Sequence, residues 1–243
     1  MASSINSFNR IWVFSDLHLS DPQSPLYRSF LTVLNEPETA LDVVVFAGDI
    51  FELLVGSSLY FKQKYESFFK TVEMLYQKNV QLFYIQGNHD FHLASIFPKG
   101  SVKIVDSELV LGKIYIAHGD LVDQTDRGYL LLRKIFRSWG IQKLVELISG
   151  RTVEYIGESI ARTHEQKEKD LSNDLVGVSR VRPIYRAFAE AKKSQGFDFI
   201  ILGHCHDLDD LQPFYFNMGY PPVHRQFLFY SIESNSFIRR VFI

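Results

Sequence analysis

The sequence contains a single cysteine, Cys205, in 243 residues, so no disulfide can close within the chain and a reducing compartment suits it. Long apolar runs are missing too. The longest, such as 43–47, are strand-sized and far short of a membrane span. There is no excess charge of one sign: a net charge of −2 gives no general pull toward nucleic acid. Nor is there a basic run, a zinc-finger spacing or an aromatic-basic pattern to suggest that partner. No repeat, low-complexity tract or Pro/Gly-rich linker divides the chain, which reads as one domain, 1–243, with an insertion. Residues 1–10 are polar and lack the apolar core of a signal peptide, so the expected location is cytoplasmic, with peripheral membrane contact left open. What is present is ample core material: 46% of the residues are hydrophobic. Oligomeric state leaves no mark in the sequence.

Short β-branched and apolar runs predict strands over 11–15, 41–47, 80–85, 113–117 and 198–202, the second buried on both faces. Between them, 27–34 reads as a helix. The spacing of Phe61, Tyr65, Phe68, Phe69, Val72 and Leu75 predicts another over 60–78. The tail reads as successive strands of a sheet or meander over 212–217, 226–232 and 236–243. Alternating strand and helix makes this an α/β sandwich with strands inside and helices outside. Residues 129–162 break the alternation. There Leu130, Leu131, Leu132, Ile135, Phe136, Trp139, Leu144, Val145 and Ile148 are interleaved with Arg133, Lys134, Arg137, Lys143 and Arg151. One or two basic amphipathic helices account for this. They either pack on the core with a solvated face or form a cap for an apolar, anionic ligand or a membrane surface.

Five polar clusters each follow a predicted strand, where loops at a sheet's carboxyl edge gather functional groups. They are Asp16-Leu17-His18, Gly48-Asp49, Gly87-Asn88-His89-Asp90, His118-Gly119-Asp120 and Gly203-His204-Cys205-His206. Singly, each is an ordinary turn or a satisfied polar residue. Together they offer seven candidate ligands: Asp16, His18, Asp49, Asn88, His118, His204 and His206. That number suits two five- or six-coordinate ions with room for water. Carboxylate, amide oxygen and imidazole in this mixture point to Mn²⁺, Fe²⁺ or Zn²⁺ rather than Ca²⁺ or an all-thiolate zinc site. Cys205 sits between two histidines, but consecutive side chains diverge, and a buried structural thiol is the ordinary reading.

In order and spacing these clusters resemble the DxH, GDxx, GNHD, H and GHxH signature of the calcineurin-like metallophosphoesterase superfamily, over residues 11 to about 206. The resemblance implies two mixed β-sheets flanked by helices, with a helical cap insertion at about 129–170. It also implies two divalent metal ions, Mn²⁺ foremost. Asp16, His18, Asp49 and His206 would hold one, Asp49, Asn88, His118 and His204 the other, with Asp49 bridging. Two such cations acidify a bridging water, orient it for in-line attack and neutralise phosphoryl oxygens. His89 is then the natural donor to a phosphate oxygen or leaving group, with Asp90 to orient its ring, or else makes a structural hydrogen bond.

Within the superfamily, Gly48–Gly56 resembles the GDxFExxxG stretch of UDP-2,3-diacylglucosamine hydrolases. So do Gly87 to Phe91, and His118-Gly119-Asp120 followed by Asp126, Gly128 and Tyr129. That resemblance implies hydrolysis of the pyrophosphate of a UDP-linked lipid of lipid A synthesis, giving UMP and 2,3-diacylglucosamine 1-phosphate. It also implies work at the cytoplasmic face of the inner membrane. Asp126, Arg133, Arg137, Arg162 and Lys167 are the candidate substrate contacts, and the apolar face of 129–148 a candidate acyl groove. The sequence departs from the pattern at His89, where an arginine is usual in one branch, at Ser57-Ser58, and at Met218-Gly219-Tyr220-Pro221-Pro222-Val223-His224. Two rivals stand: another phosphoesterase, acting on a cyclic nucleotide, phosphoprotein or nucleic acid strand, and a non-catalytic scaffold. No ligand of the signature is missing, which counts against the scaffold.

Overall fold

A computed structural model describes residues 8–56, 58–157, 159, 175–211 and 213–243. The chain runs β1 (Arg10–Phe14), α1 (Pro25–Leu34), β2 (Asp42–Phe46), β3 (Leu54–Val55), α2 (Leu59–Lys64), α3 (Glu66–Gln77), β4 (Gln81–Ile85) and β5 (Asp90–Phe91). Then come β6 (Lys103–Val105), β7 (Glu108–Leu111), β8 (Ile114–Ala117), α4 (Arg127–Phe136), α5 (Trp139–Leu147) and a further helix, α6, over 150–157. It closes with α7 (Leu175–Ser194), β9 (Phe199–Leu202), β10 (Asp210–Leu211), β11 (Tyr215–Asn217), α8 (Pro221–His224), β12 (Gln226–Ser231) and β13 (Ser236–Val241).

Two mixed sheets are formed, ordered β13-β12-β1-β2-β4-β6 and β10-β11-β9-β8-β7. Period-two alternation explains how both faces of each are buried. In β1, Ile11 and Val13 point into the space between the sheets with Val43, Val45, Ile116 and Ile201. Their neighbours Trp12 and Phe14 point the other way, against Phe30 of α1 and Phe68 of α3. On the far side, Tyr115, Ile200 and Leu202 pack on Tyr185 and Ala189 of α7. The result is four layers, helix–sheet–sheet–helix, the α/β sandwich the sequence predicts.

Three expectations change. The helix predicted over 60–78 is two, interrupted at Tyr65 (φ −107°, ψ 34°). The Tyr65 ring is buried against Phe51, with its hydroxyl donating to the Leu19 carbonyl, and this anchoring coincides with the break. The tail is not one meander. Tyr215–Asn217 pairs in parallel with β9, whereas the β12–β13 hairpin adds antiparallel to β1 in the other sheet. Of the predicted strand over 212–217, only Tyr215–Asn217 is strand; residue 212 lies outside the described residues.

Neither α4 nor α5 buries a residue fully. Phe136, Val145 and Ile148 pack in part on the helix-side core, and Val153 of α6 is buried there. The other face is open: Leu131, Trp139, Leu147 and Tyr155 are 61%, 73%, 86% and 73% exposed. Among the described residues no helix is long and apolar enough to cross a membrane.

Candidate metal centre

All seven candidate ligands sit just past strand ends. Asp16 and His18 follow β1, Asp49 follows β2 and Asn88 follows β4, three neighbouring parallel strands of the larger sheet. His118 follows β8, and His204 and His206 follow β9, parallel neighbours in the other sheet. The chain must turn sharply at these exits to aim side chains inward. Asp16, His18, Asp49, His204 and His206 all adopt positive φ, between 45° and 70°, a costly conformation for non-glycine residues that is concentrated at functional sites. Two motif glycines answer to the same crowding. A Cβ on Gly87 would lie 2.1 Å from Asp49 Oδ1, and one on Gly203 would lie 2.3 Å from Asp16 Oδ2.

The donors gather into two groups, one of Asp16, His18 and His206 and the other of Asp49, His118 and His204. Within each, ligand atoms lie within 4.8 Å of one another, close enough to share an ion. His118 Nδ1 faces the Ala47 carbonyl at 3.1 Å and so carries the ring proton. Its Nε2 then meets two more acceptors, Asn88 Oδ1 at 3.1 Å and Asp49 Oδ2 at 3.3 Å. Three lone pairs pointing at one spot demand a positive charge there, a proton or a cation. In the other group His18 Nε2 faces His206 Nε2 at 3.1 Å, while His18 Nδ1 is engaged by Glu52 Oε2 at 3.2 Å. Again two ring nitrogens converge where one cation would satisfy both.

The electrostatics agree with a cation-binding role. Burial and then the charge of His118 push the His204 imidazole down to about 4; burial and then His18 push His206 down to about 3. Both rings therefore offer lone pairs at neutral pH. Burial alone would raise the Asp49 carboxyl, but the imidazoles of His118, His89 and His18 hold it well below the ordinary range, so it is ionised. Burial lowers His118, yet Asp49 outweighs it and lifts the ring to about 10, a measure of how strongly the site calls for positive charge. The residues present thus fit divalent cations in donor chemistry, protonation and arrangement.

The remaining candidates are placed differently from expectation. Asp90 does not touch the His89 ring. Its carboxylate is wholly buried and accepts from Ile50 N (3.0 Å), Tyr84 Oη (2.7 Å) and Gly87 N (2.6 Å), tying the loop after β2 to the loop after β4. Backbone geometry aims the carboxylate that way, and the His89 ring turns instead to the Glu52 carbonyl, 2.8 Å from Nδ1. Asp90→Ala would leave three buried donors unpaired at about 1–3 kcal/mol each, so a stability loss of at least about 3 kcal/mol is expected in denaturant unfolding. Full stability with lost turnover would instead give Asp90 a direct chemical role.

Arg133 and Arg137 also have structural partners. Arg133 Nε donates to Asp120 Oδ2 (2.5 Å), which also accepts from Tyr129 Oη (2.9 Å). Arg137 donates to the carbonyls of Asp106, Gln86 and Gly87, each at 2.9 Å. Both arginines therefore latch α4 beside the Asn88 loop. Asp126 is the N-cap of α4, accepting from Tyr129 N at 2.9 Å. Arg162 and Lys167 lie outside the described residues. Cys205 turns away from the centre, its Sγ 3.1 Å from Asn217 Nδ2, and burial raises its thiol to about 12.

Two side chains at the centre were not among the predicted site residues. Glu52 groups with His18 and His89, and its place three residues after Asp49 in the GDxFExxxG stretch was the available signal. Tyr220 stacks on His206, centroids 4.6 Å apart at 29°, from the segment marked only as a departure from the pattern.

Fold and site together define a metal-dependent hydrolase of phosphoric esters. The family model for the calcineurin-like phosphoesterases matches residues 9–208, and the chain belongs to that family. Among curated proteins it is similar to a UDP-2,3-diacylglucosamine hydrolase of Photorhabdus laumondii, at 29% identity over 79% of this chain and 80% of that one. Proteins of the same name from Haemophilus influenzae (26% identical, 80% and 82% covered) and Blochmanniella pennsylvanica (30% identical, 55% and 56% covered) are also similar.

Proposed function

We propose that this protein hydrolyses the pyrophosphate of UDP-2,3-diacylglucosamine, giving UMP and 2,3-diacylglucosamine 1-phosphate. The observation that carries the reading is the open apolar face of α4–α6 beside a centre built for phosphoryl chemistry. A small soluble ester does not call for such a face, whereas two acyl chains do. The curated relatives named for this activity support it over most of their length. The same face supports contact with the cytoplasmic leaflet of the inner membrane, where a diacylated product would partition.

Asp16, His18, Asp49 and His206 would hold one divalent ion in this reading, and Asp49, Asn88, His118 and His204 would hold the other. Mn²⁺ is the first candidate, with Fe²⁺ and Zn²⁺ as alternatives. Two such ions, when bound, supply charge neutralisation at the phosphoryl oxygens and an acidified water. The chain's own residues do the rest. Glu52 orients the His18 ring through Nδ1. With Nδ1 of His89 committed to the Glu52 carbonyl, Nε2 is the atom left to donate a proton or hydrogen bond as the bridging P–O bond breaks. Asp90 fixes the loop that carries His89. The latch through Arg133 and Arg137 sets α4 against that loop.

The test compares UDP-2,3-diacylglucosamine with a cyclic nucleotide and a phosphopeptide, using chelator-treated protein resupplied with Mn²⁺. Chelation is expected to abolish turnover and Mn²⁺ to restore it, with the UDP-lipid preferred by at least ~10²-fold in kcat/KM. Faster turnover of either soluble ester would overturn the lipid assignment and leave the phosphoesterase class standing.

A further inference from the structure

Cleaving a pyrophosphate that joins two bulky groups requires two places to put them, and the centre has two unlike sides. On the His204 side stands the cap: the Tyr129 ring lies 5.5 Å from His204, and Arg137 grips the Gly87 carbonyl. On the His18 side a groove of about 500 Å³ opens beside His18 and Glu52. Leu19, Ser20 and Leu26, leading into α1, form one wall, and Tyr220 and Arg225, from the turn around α8, form the other.

The chemistry of that groove is mixed, with a cation, a serine hydroxyl and an aromatic ring, where the open face of α4–α6 is mainly apolar. The Tyr220 ring is stacked on His206 and lies 5.8 Å from His18, so it extends the imidazole wall outward as a flat aromatic surface. Arg225 is exposed, and no hydrogen bond or ion pair occupies its guanidinium among the described residues. Its backbone is nonetheless fixed at φ 55°, with its N–H donating to the Pro221 carbonyl (2.8 Å) and its carbonyl accepting from Phe242 N (2.9 Å). A cation on a pinned turn beside an aromatic ring and a serine hydroxyl suits a nucleoside monophosphate, and the volume falls in the range of small-ligand sites. We propose, resting on the substrate reading above, that this groove is the nucleotide subsite, in which Arg225 pairs with the phosphate of the uridylate half and Tyr220 packs against its ribose or base.

Titration calorimetry of UMP into the Mn²⁺-loaded protein tests this directly. Asparagine tolerates positive φ, so Arg225→Asn removes the charge without adding backbone strain. It is expected to weaken UMP binding at least ~10-fold, with a matching rise in KM for UDP-2,3-diacylglucosamine and kcat nearly unchanged. Hydrolysis of bis(p-nitrophenyl) phosphate, which has no nucleoside to place, should stay within about twofold. Arg225→Lys should retain much of the UMP affinity. Undiminished UMP binding in Arg225→Asn, or equal losses on both esters, would overturn the subsite. A wild-type protein that binds UMP through Arg225 yet leaves the UDP-lipid intact would sink the substrate reading alone.

Discussion

Asp49→Ala is expected to lower kcat/KM by at least ~10³-fold and, on the two-ion reading proposed above, to cut bound divalent metal from two equivalents per chain to one or fewer. Asp49 is 2% exposed, ionised in its surroundings, and 3.3 Å from His118 Nε2, while its Oδ1 accepts from the backbone N–H of His89 at 2.9 Å. It therefore serves both the candidate metal-binding group it forms with His118 and His204 and the loop of the proposed proton donor. Losing about 4 kcal/mol of charge stabilisation at the phosphoryl group corresponds to three decades in rate. Asp49→Asn keeps the volume and the acceptor oxygen but drops the charge, so it separates coordination from packing. Metal content by mass spectrometry and turnover at saturating Mn²⁺ are the two measurements. Retention of metal and of near-normal rates in Asp49→Asn would overturn the proposed bridging role of the carboxylate.

His89→Ala should show the opposite signature: metal content intact, kcat down by ~10²–10⁴-fold. The ring lies beside the Asp16–His18–His206 group, 4.8 Å from the His18 centroid, and its Nδ1 rests on the Glu52 carbonyl. If the role is proton donation to the departing oxygen, an activated ester whose leaving group needs no proton should lose much less than the natural pyrophosphate. Equal losses on both would leave phosphate binding as the function of His89. His89→Arg is informative in its own right, since arginine stands there in one branch resembling this chain. It can donate hydrogen bonds to phosphate but does not deliver a proton near neutral pH.

Much of this site was legible in the sequence because its chemistry is local. Each candidate ligand follows a strand that is itself a short run of mostly β-branched or aromatic residues, such as 43–46, and Gly48, Gly87 and Gly203 each stand beside one where a neighbouring side chain passes close. What failed were inferences about which polar side chain meets which. Asp90 is next to His89 in sequence, yet consecutive residues project in different directions, and its carboxylate went to Ile50, Tyr84 and Gly87. Arg133 and Arg137 looked like free cations for phosphate. Their spacing of one helical turn instead matched Asp120 and a row of carbonyls that only the folded loops bring together. The tail strands were individually visible, but the sheet that each joins depends on which edge stands open, and no local pattern records that.

The sequence alone determined the layered α/β class and supplied the seven candidate donors in their order along the chain, because side-chain alternation and donor type are properties of short segments. Tertiary structure decided how those donors divide into two groups, that Glu52 and Tyr220 stand beside them, and that one side of the centre faces apolar helices while the other opens onto a groove with an exposed arginine. The reason is distance along the chain. His18 and His206 meet at 3.1 Å across 188 residues, and only the packing of two sheets, β1 in one and β9 in the other, brings them together.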